Sequence, residues 1–365
     1  KKKKKTSSEA ITLCHTTVLY RSKFPDLQQL SHASTYRCNI PYTHPATRSQ
    51  TLDLYLPHPP ASSHKTSSTD PGARRHLYPI VVFVYGGSWS SGNKSLYVGL
   101  ANTLREMGYI VVVPDYRKYP QVRAEEMYED IRSVLEWVGQ NVAIDEIGGH
   151  REQIYVMGHS AGAQLASYVV LQDMLNQARA YQERDAVANG VAVTANAEKS
   201  ANGDANGMRP LPRVEGLILC AGVYDINEHY RWEAHRGVEQ ISAMGRAMGA
   251  NPTSFAHNSP HHLVTSSPEL FVSAPMLLVL PRVLFVHGER DTTVPVASTL
   301  QMYTALGEVI PVDRRDEVDI RMRLYKRMDH AECVTALMPN YIFPSRFRRS
   351  LMRDLQDFID VEFDS

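Results

Sequence analysis

An α/β fold, with a mostly parallel sheet and helices on both faces, follows from three features of this 365-residue chain. Continuous apolar runs at Tyr78 to Tyr85, Tyr109 to Pro114, Val214 to Ala221 and Arg282 to Gly288 read as strands buried on both faces, the pattern of a parallel sheet. Helical stretches lie between them, and that alternation is what βαβ units require. Gln153-Ile154-Tyr155-Val156-Met157 then leads into Gly158-His159-Ser160-Ala161-Gly162 and Ala163 to Tyr168, which reads as strand, sharp turn and helix.

Residues 1–48 are mixed, and Tyr20, Phe24, Leu27 and Leu30 suggest a short packed arm ahead of a single catalytic-sized domain over 49–365. Thr51 to Leu56 alternates with period two and stops at Pro57, as a strand would. Pro59 to Gly72 is rich in Ser, Thr, His and Pro and reads as a loop. Lys94 to Gly108 reads as a helix closed by glycine. Between Ala124 and Val142, Met127, Ile131, Val134, Leu135 and Val138 share one helical face. Residues 182–212 hold Ala-Asn-Gly repeats with few large apolar side chains, the composition of a disordered surface insertion. Residues 224–270 read as a small, irregular helical cap, Ile320 to Tyr325 as the last strand, and Arg346 to Phe363 as a closing amphipathic helix.

Composition narrows the function classes. With 43% hydrophobic residues and a formal charge of zero, nothing favours nucleic acid as a partner, and no stretch interleaves basic with aromatic residues. The four cysteines, Cys14, Cys38, Cys220 and Cys333, are too sparse for a disulfide framework or a zinc site, which favours a reducing compartment. His257, His261 and His262 lack carboxylates or cysteines at ligand spacing, so they read as cap histidines and no metal is expected. The chain opens on Lys1 to Lys5 without methionine, which suggests a fragment or a processed form. A lysine run of this kind is ordinarily a solvated tail, and beside a membrane it could attract anionic lipid. No apolar run approaches the roughly 20 residues of a spanning helix; Met276 to Val286 is broken by Pro281 and Arg282.

Three short motifs carry chemistry. The turn Gly158 to Gly162 would push Ser160 into view as a nucleophile, with glycines where a side chain would collide with strand or helix. Three fixed residues recur by chance in about one chain in eight of this length, so the weight rests on partners elsewhere. Gly86-Gly87-Ser88-Trp89 follows a buried strand, and the N–H groups of Gly86, Gly87 and Ala161 could hold a developing oxyanion. Asp291 lies in the loop after the Arg282 strand, at the sheet edge where open α/β folds bind ligands, with a local helix-capping role as the plainer reading. His330 follows the last strand, so the order Ser160, Asp291, His330 suits nucleophile, orienting acid and base; Asp329 is too near His330 to turn back to it. Acyl transfer by these groups needs neither metal nor organic cofactor.

These residues resemble the α/β-hydrolases and, within them, the isoprenylcysteine methylesterase-like group. The resemblance runs from about Leu52 to the C-terminus, excluding the insertion. It rests on Leu52 to Pro57, Val82 to Trp89, Pro114-Asp115-Tyr116, Gly158 to Gly162 and Val294-Pro295 after Asp291. In the cap, Asn227-Glu228-His229-Tyr230 and Arg236-Gly237-Val238-Glu239 resemble the methylesterases specifically. Kynurenine formamidases share the Gly-Gly-x-Trp element but carry His where this chain has Tyr85. The resemblance implies hydrolysis of the α-carboxyl methyl ester of prenylated cysteine, with formamidase or general carboxylesterase activity as alternatives and a non-catalytic ligand-binding homologue as a further one. It implies a small or prenylated ester as substrate, bound in a pocket that Trp89, Tyr230 and Trp232 could line. It also implies a place in the cytoplasm or peripherally on internal membranes such as the endoplasmic reticulum or Golgi.

Overall fold

The computed structural model describes residues 35–58, 77–144, 147–188, 209–273 and 279–360. Among the described residues, eight strands form one sheet: β1 (Tyr36–Pro41), β2 (Thr51–Tyr55), β3 (Tyr78–Val84), β4 (Ile110–Pro114), β5 (Gly149–His159), β6 (Gly216–Cys220), β7 (Arg282–Gly288) and β8 (Ile320–Tyr325). Their order is β1-β2-β4-β3-β5-β6-β7-β8. The β1–β2 and β2–β4 pairs are antiparallel and the remaining pairs parallel. This is the α/β-hydrolase fold.

The central strands are apolar throughout because helices cover both faces: Ile80 to Val84 and Ile110 to Val113 are fully buried. The covering helices are α1 (Val98–Glu106), α2 (Ala124–Asn141), α3 (Ala161–Ala188), α9 (Val296–Val309) and α11 (Arg348–Ile359). On α2, Met127, Ile131, Val134, Leu135 and Val138 are all buried, each worth roughly 1.5–3 kcal/mol against exposure before ordering costs are subtracted. On α11, Leu351, Leu355, Phe358 and Ile359 are buried, and the guanidinium of Arg282 lies 4.5 Å from the Phe358 ring centre.

Three boundaries differ from the sequence reading. The arm expected over 1–48 contains β1, an edge strand whose register shifts between Arg37 and Ile40 around Asn39, at φ 55°. Residues 182–188, expected within a disordered insertion, continue α3. At the other end of that stretch, the Leu211 N–H donates to Asp173 at 3.2 Å, and a side chain at Gly139 would meet Pro212 at 2.9 Å, so this end packs too. Residues 189–208 lie outside the described residues.

Between β6 and β7 the cap consists of α4 (Ile226–His235), α5 (Met244–Ala247), α6 (Pro252–His257), α7 (Pro260–Thr265) and α8 (Pro268–Phe271). Proline stands at the start of three of these short helices, where its missing N–H costs nothing. A last short helix, α10 (Glu332–Thr335), follows β8. Among the described residues no helix is long and apolar enough to cross a membrane.

Candidate active site

The sharp turn after β5 is built by close approach. A side-chain carbon at Gly158 would sit 2.5 Å from Ala163 Cα, and one at Gly162 would sit 2.1 Å from the Val84 carbonyl oxygen. Only glycine lets α3 start against β5 and β3 in this way. Ser160 consequently has φ 56°, a left-handed conformation that a non-glycine residue adopts at a cost of order 1–3 kcal/mol. Its N–H donates to the Cys220 carbonyl at 2.9 Å, which ties the turn to β6.

Gly86 and Gly87 follow β3 directly. A side-chain carbon at Gly86 would lie 2.9 Å from Ser160 Cβ, so this backbone passes immediately beside the serine. Gly87 has φ 132°, and its carbonyl accepts from Ser90 N–H at 3.1 Å and Ser91 N–H at 3.0 Å, closing a tight turn. Ala161 opens α3, where the first-turn N–H groups have no partner within the helix. Gly86 and Ala161 thus flank Ser160, and Gly87 is the next residue along the turn.

Asp291 and His330 meet across the ends of β7 and β8. His330 Nδ1 donates to Asp291 Oδ2 at 2.6 Å. The other oxygen, Oδ1, accepts from the N–H groups of Thr293 at 2.8 Å and Val294 at 2.9 Å. One carboxylate therefore makes the local turn and also meets the imidazole, so the two readings of Asp291 describe its two oxygens. Asp329 instead accepts from the Glu332 N–H at 2.9 Å, at the start of α10.

Two histidines that sequence reasoning passed over support this pair. His287, fully buried on β7, lies with Nε2 3.1 Å from the Val294 carbonyl and 3.3 Å from Asp291 Oδ2. Two acceptors at Nε2 require the proton there, so Nδ1 accepts from the Thr299 hydroxyl at 2.7 Å. Burial alone would raise the Asp291 carboxyl. Hydrogen bonds from His287 and His330, and the charges those rings can carry, outweigh it and hold the group well below the usual carboxylate range. His159, beside the serine, donates Nε2–H to the His330 carbonyl at 3.0 Å, and the two rings lie 4.8 Å apart. Burial first, then the neighbouring His330, pushes His159 down to about 3, so it is a neutral strut between the serine turn and the His330 loop. The signal for His159 was its place beside Ser160; for His287, an ionisable group inside an apolar strand.

The three aromatics expected to line a pocket are not brought to one surface. Trp89 is buried, and its indole N–H donates to Gln164 Oε1 at 2.9 Å, so it anchors the glycine turn to α3. Tyr230 packs on Phe255, with ring centres 5.2 Å apart, and lines a cap cavity of about 430 Å³ with Arg231, Glu239 and Arg246. Trp232 donates its indole N–H to the Thr293 carbonyl at 3.2 Å, docking α4 on the loop that carries Asp291. Of the cap histidines, His257 meets Tyr168 edge-on at 6.4 Å and His261 Nδ1 lies 3.8 Å from Asp225. Among the described residues no group of three or more His, Cys, Asp or Glu could hold a metal ion.

Under the glycine turn lies a buried charged network. Tyr85 Oη donates to Asp115 Oδ1 at 2.6 Å and receives from Lys118 Nζ at 2.8 Å. Lys94 Nζ lies 3.3 Å from Asp115 and 3.6 Å from Asp53, and donates to Asn39 and Thr51 at 2.9 Å. Tyr85 therefore anchors the end of β3.

The BD-FAE family profile matches residues 69–306, well over half of the chain. A rice protein (Oryza sativa subsp. japonica) named "Probable isoprenylcysteine alpha-carbonyl methylesterase" is 27% identical over 70% of this chain and 49% of its own length. A kynurenine formamidase of Drosophila melanogaster is 25% identical over 46% of this chain and 47% of its own. The chain thus spans about half the length of the curated relatives it matches. Among solved structures, an inhibited esterase B from Lactobacillus rhamnosis has a TM-score of 0.57 and 16% identity over 96% of each chain, a likeness of fold.

Proposed function

Since this chain belongs to the BD-FAE family, we propose that it is a serine carboxylic-ester hydrolase whose nucleophile, base and orienting acid are Ser160, His330 and Asp291. The observation that carries this reading is the 2.6 Å bond from His330 Nδ1 to a fully satisfied Asp291 carboxylate. It leaves Nε2 as the open basic atom, while Ser160 stands on a turn held in left-handed conformation beside Gly86.

In this scheme Ser160 Oγ attacks the ester carbonyl as its proton passes to His330 Nε2. The C=O π pair moves to oxygen, where the N–H groups of Gly86, Gly87 and Ala161 receive it. Asp291 stabilises the imidazolium. The oxyanion then collapses, the C–O bond to the alcohol breaks, and His330 gives the alcohol its proton. Water repeats the sequence on the acyl-enzyme, releasing acid and restoring Ser160.

Within that class the methyl ester of an S-prenylated cysteine is the favoured substrate, supported by the relatives of that name and the Asn227-to-Glu239 cap motif. The formamidase relative supports the second reading, in which the same groups cleave an N-formyl amide. Hydrolysis of S-farnesyl-N-acetylcysteine methyl ester, N-acetylcysteine methyl ester and N-formylkynurenine separates them. Burying four or five CH₂ groups at ~0.8 kcal/mol each, less the cost of ordering the chain, gives the prenylated ester a kcat/KM advantage of roughly 30-fold to 300-fold. Equal rates for the two esters would sink the prenyl reading, and faster turnover of formylkynurenine would move the assignment to the formamidase.

A further inference from the structure

The glycine turn after β3 does not end at Gly87. Ser88 and Trp89 follow with φ 51° and 58°, so two successive non-glycine residues stand in the left-handed region, at a cost of order 1–3 kcal/mol each. A segment in that conformation needs ties from outside itself. Trp89 has two: its carbonyl accepts from the Tyr119 N–H at 2.9 Å, and its indole N–H donates to Gln164 Oε1 at 2.9 Å.

Gln164 lies one helical turn after Ser160, to whose carbonyl its own N–H donates at 3.2 Å. Its side chain is fully buried, and both ends of its amide are engaged. Nε2 donates to the Tyr128 hydroxyl at 2.8 Å and to the Asn258 carbonyl at 2.9 Å. Tyr128 Oη in turn donates to Asn258 Oδ1 at 2.9 Å, and Asn258 Nδ2 donates to the Ser254 carbonyl on α6 at 2.8 Å. An indole N–H only donates and a main-chain carbonyl only accepts, so the amide has one permitted orientation, with oxygen toward Trp89 and nitrogen toward Asn258. Turning it over would set N–H against N–H and oxygen against oxygen in a buried site, at roughly 1–3 kcal/mol for each unpaired group.

We infer that Gln164 is a positioning residue for the proposed oxyanion turn. Its amide is locked from the side of α2 and the cap, by Tyr128 and Asn258, and offers one oxygen that holds Trp89. Through Trp89 it keeps the strained chain of Gly86 and Gly87 beside Ser160. This rests on the ester-hydrolase reading above. Gln164 acts through Trp89 and not on the reacting atoms; it fixes where the N–H donors stand, and a misplacement of about 1 Å can cost about 10²-fold in rate.

The test uses p-nitrophenyl acetate, whose hydrolysis asks nothing of a prenyl pocket, and two ketone inhibitors. Trifluoroacetophenone takes Ser160 Oγ on its carbonyl carbon, the π pair moving to oxygen and the serine proton to His330, and so places a stable oxyanion in the turn. Acetophenone has nearly the same shape and stays a ketone. In Gln164→Met, which keeps the length and loses the amide, kcat/KM should fall roughly 10-fold to 100-fold. The Ki of trifluoroacetophenone should rise by about the same factor, and that of acetophenone by less than about threefold. Trp89→Phe should show the same pattern, and the double variant should lie within about threefold of the less active single one, because both break the same tie. Unchanged kcat/KM in folded Gln164→Met, losses that multiply in the double variant, or equal weakening of both ketones overturns the positioning role. Where Gln164→Met fails to fold, Trp89→Phe decides alone, and wild-type kcat/KM and ketone affinity there overturn the role. Wild-type protein that neither hydrolyses the ester nor binds trifluoroacetophenone overturns the hydrolase reading beneath it.

Discussion

His159 joins two of the groups proposed to act together. It precedes Ser160 in the chain, and its ring holds the backbone of His330, 171 residues away. A buried neutral histidine also makes stability depend on pH. Its ordinary unfolded value is about 6.5. Folding depresses it to about 3, so between those values the unfolded chain binds the extra proton and stability falls as pH falls. His229, pushed down to about 4, adds to the same slope. Glu233 acts oppositely: burial raises it to about 7, against the pull of Ser242 and Arg236, so above its unfolded value of about 4.3 its contribution is lost as pH rises. Asp291, held low, keeps its contribution at every pH above about 4. Replacing His159 by Gln should therefore flatten the loss of stability between pH 7 and pH 5, read as denaturant midpoints. It should also lower kcat by about tenfold or more, because the His330 loop loses its strut. An unchanged slope together with an unchanged kcat would remove His159 from this role.

The turn between β5 and α3 is set by backbone packing, which a single methyl group tests. In Gly162→Ala the added carbon meets the Val84 carbonyl at 2.1 Å and Tyr85 O at 2.5 Å, both backbone atoms that cannot step aside. Overpacking of this kind typically costs 1–3 kcal/mol or more, so for a chain of this size Tm should fall by about 1–4 °C or more. Gly307, on α9, has nothing within 4 Å of such a carbon, and Gly307→Ala should leave Tm level or slightly raised. Equal behaviour of the two variants would contradict the packing account. The same backbone logic explains what could be read from sequence. Strands β3, β4, β6 and β7 are legible because burial on both faces demands apolar residues at every position. Strand β1 is not: it lies at the sheet edge, is largely exposed, and carries an irregularity at Asn39, so neither alternation nor an apolar run marks it. The strand-end positions of Ser160, Asp291 and His330 were legible from their order in the chain, and the structure bonds the last two to each other. The candidate site was not legible at His287, a single ionisable residue in an apolar strand whose part depends on the loop bringing Asp291 back to its ring.

At the scale of the molecule, topology rather than sequence proximity gathers the candidate residues. Ser160 leaves β5, Asp291 leaves β7 and His330 leaves β8, and parallel pairing of β5, β6, β7 and β8 brings these ends to one edge of the sheet. Toward β2 and β4, Lys94 bridges Asp53 and Asp115 beneath the glycine turn. If this assembly activates Ser160, the intact folded protein should react once, and only once, with a fluorophosphonate probe at neutral pH, since an unactivated serine hydroxyl does not. Mass spectrometry should place the adduct on Ser160. Labelling should vanish in Ser160→Ala and slow by 10²-fold or more in His330→Ala. Undiminished labelling of folded Ser160→Ala, or an adduct on another residue, would contradict the account.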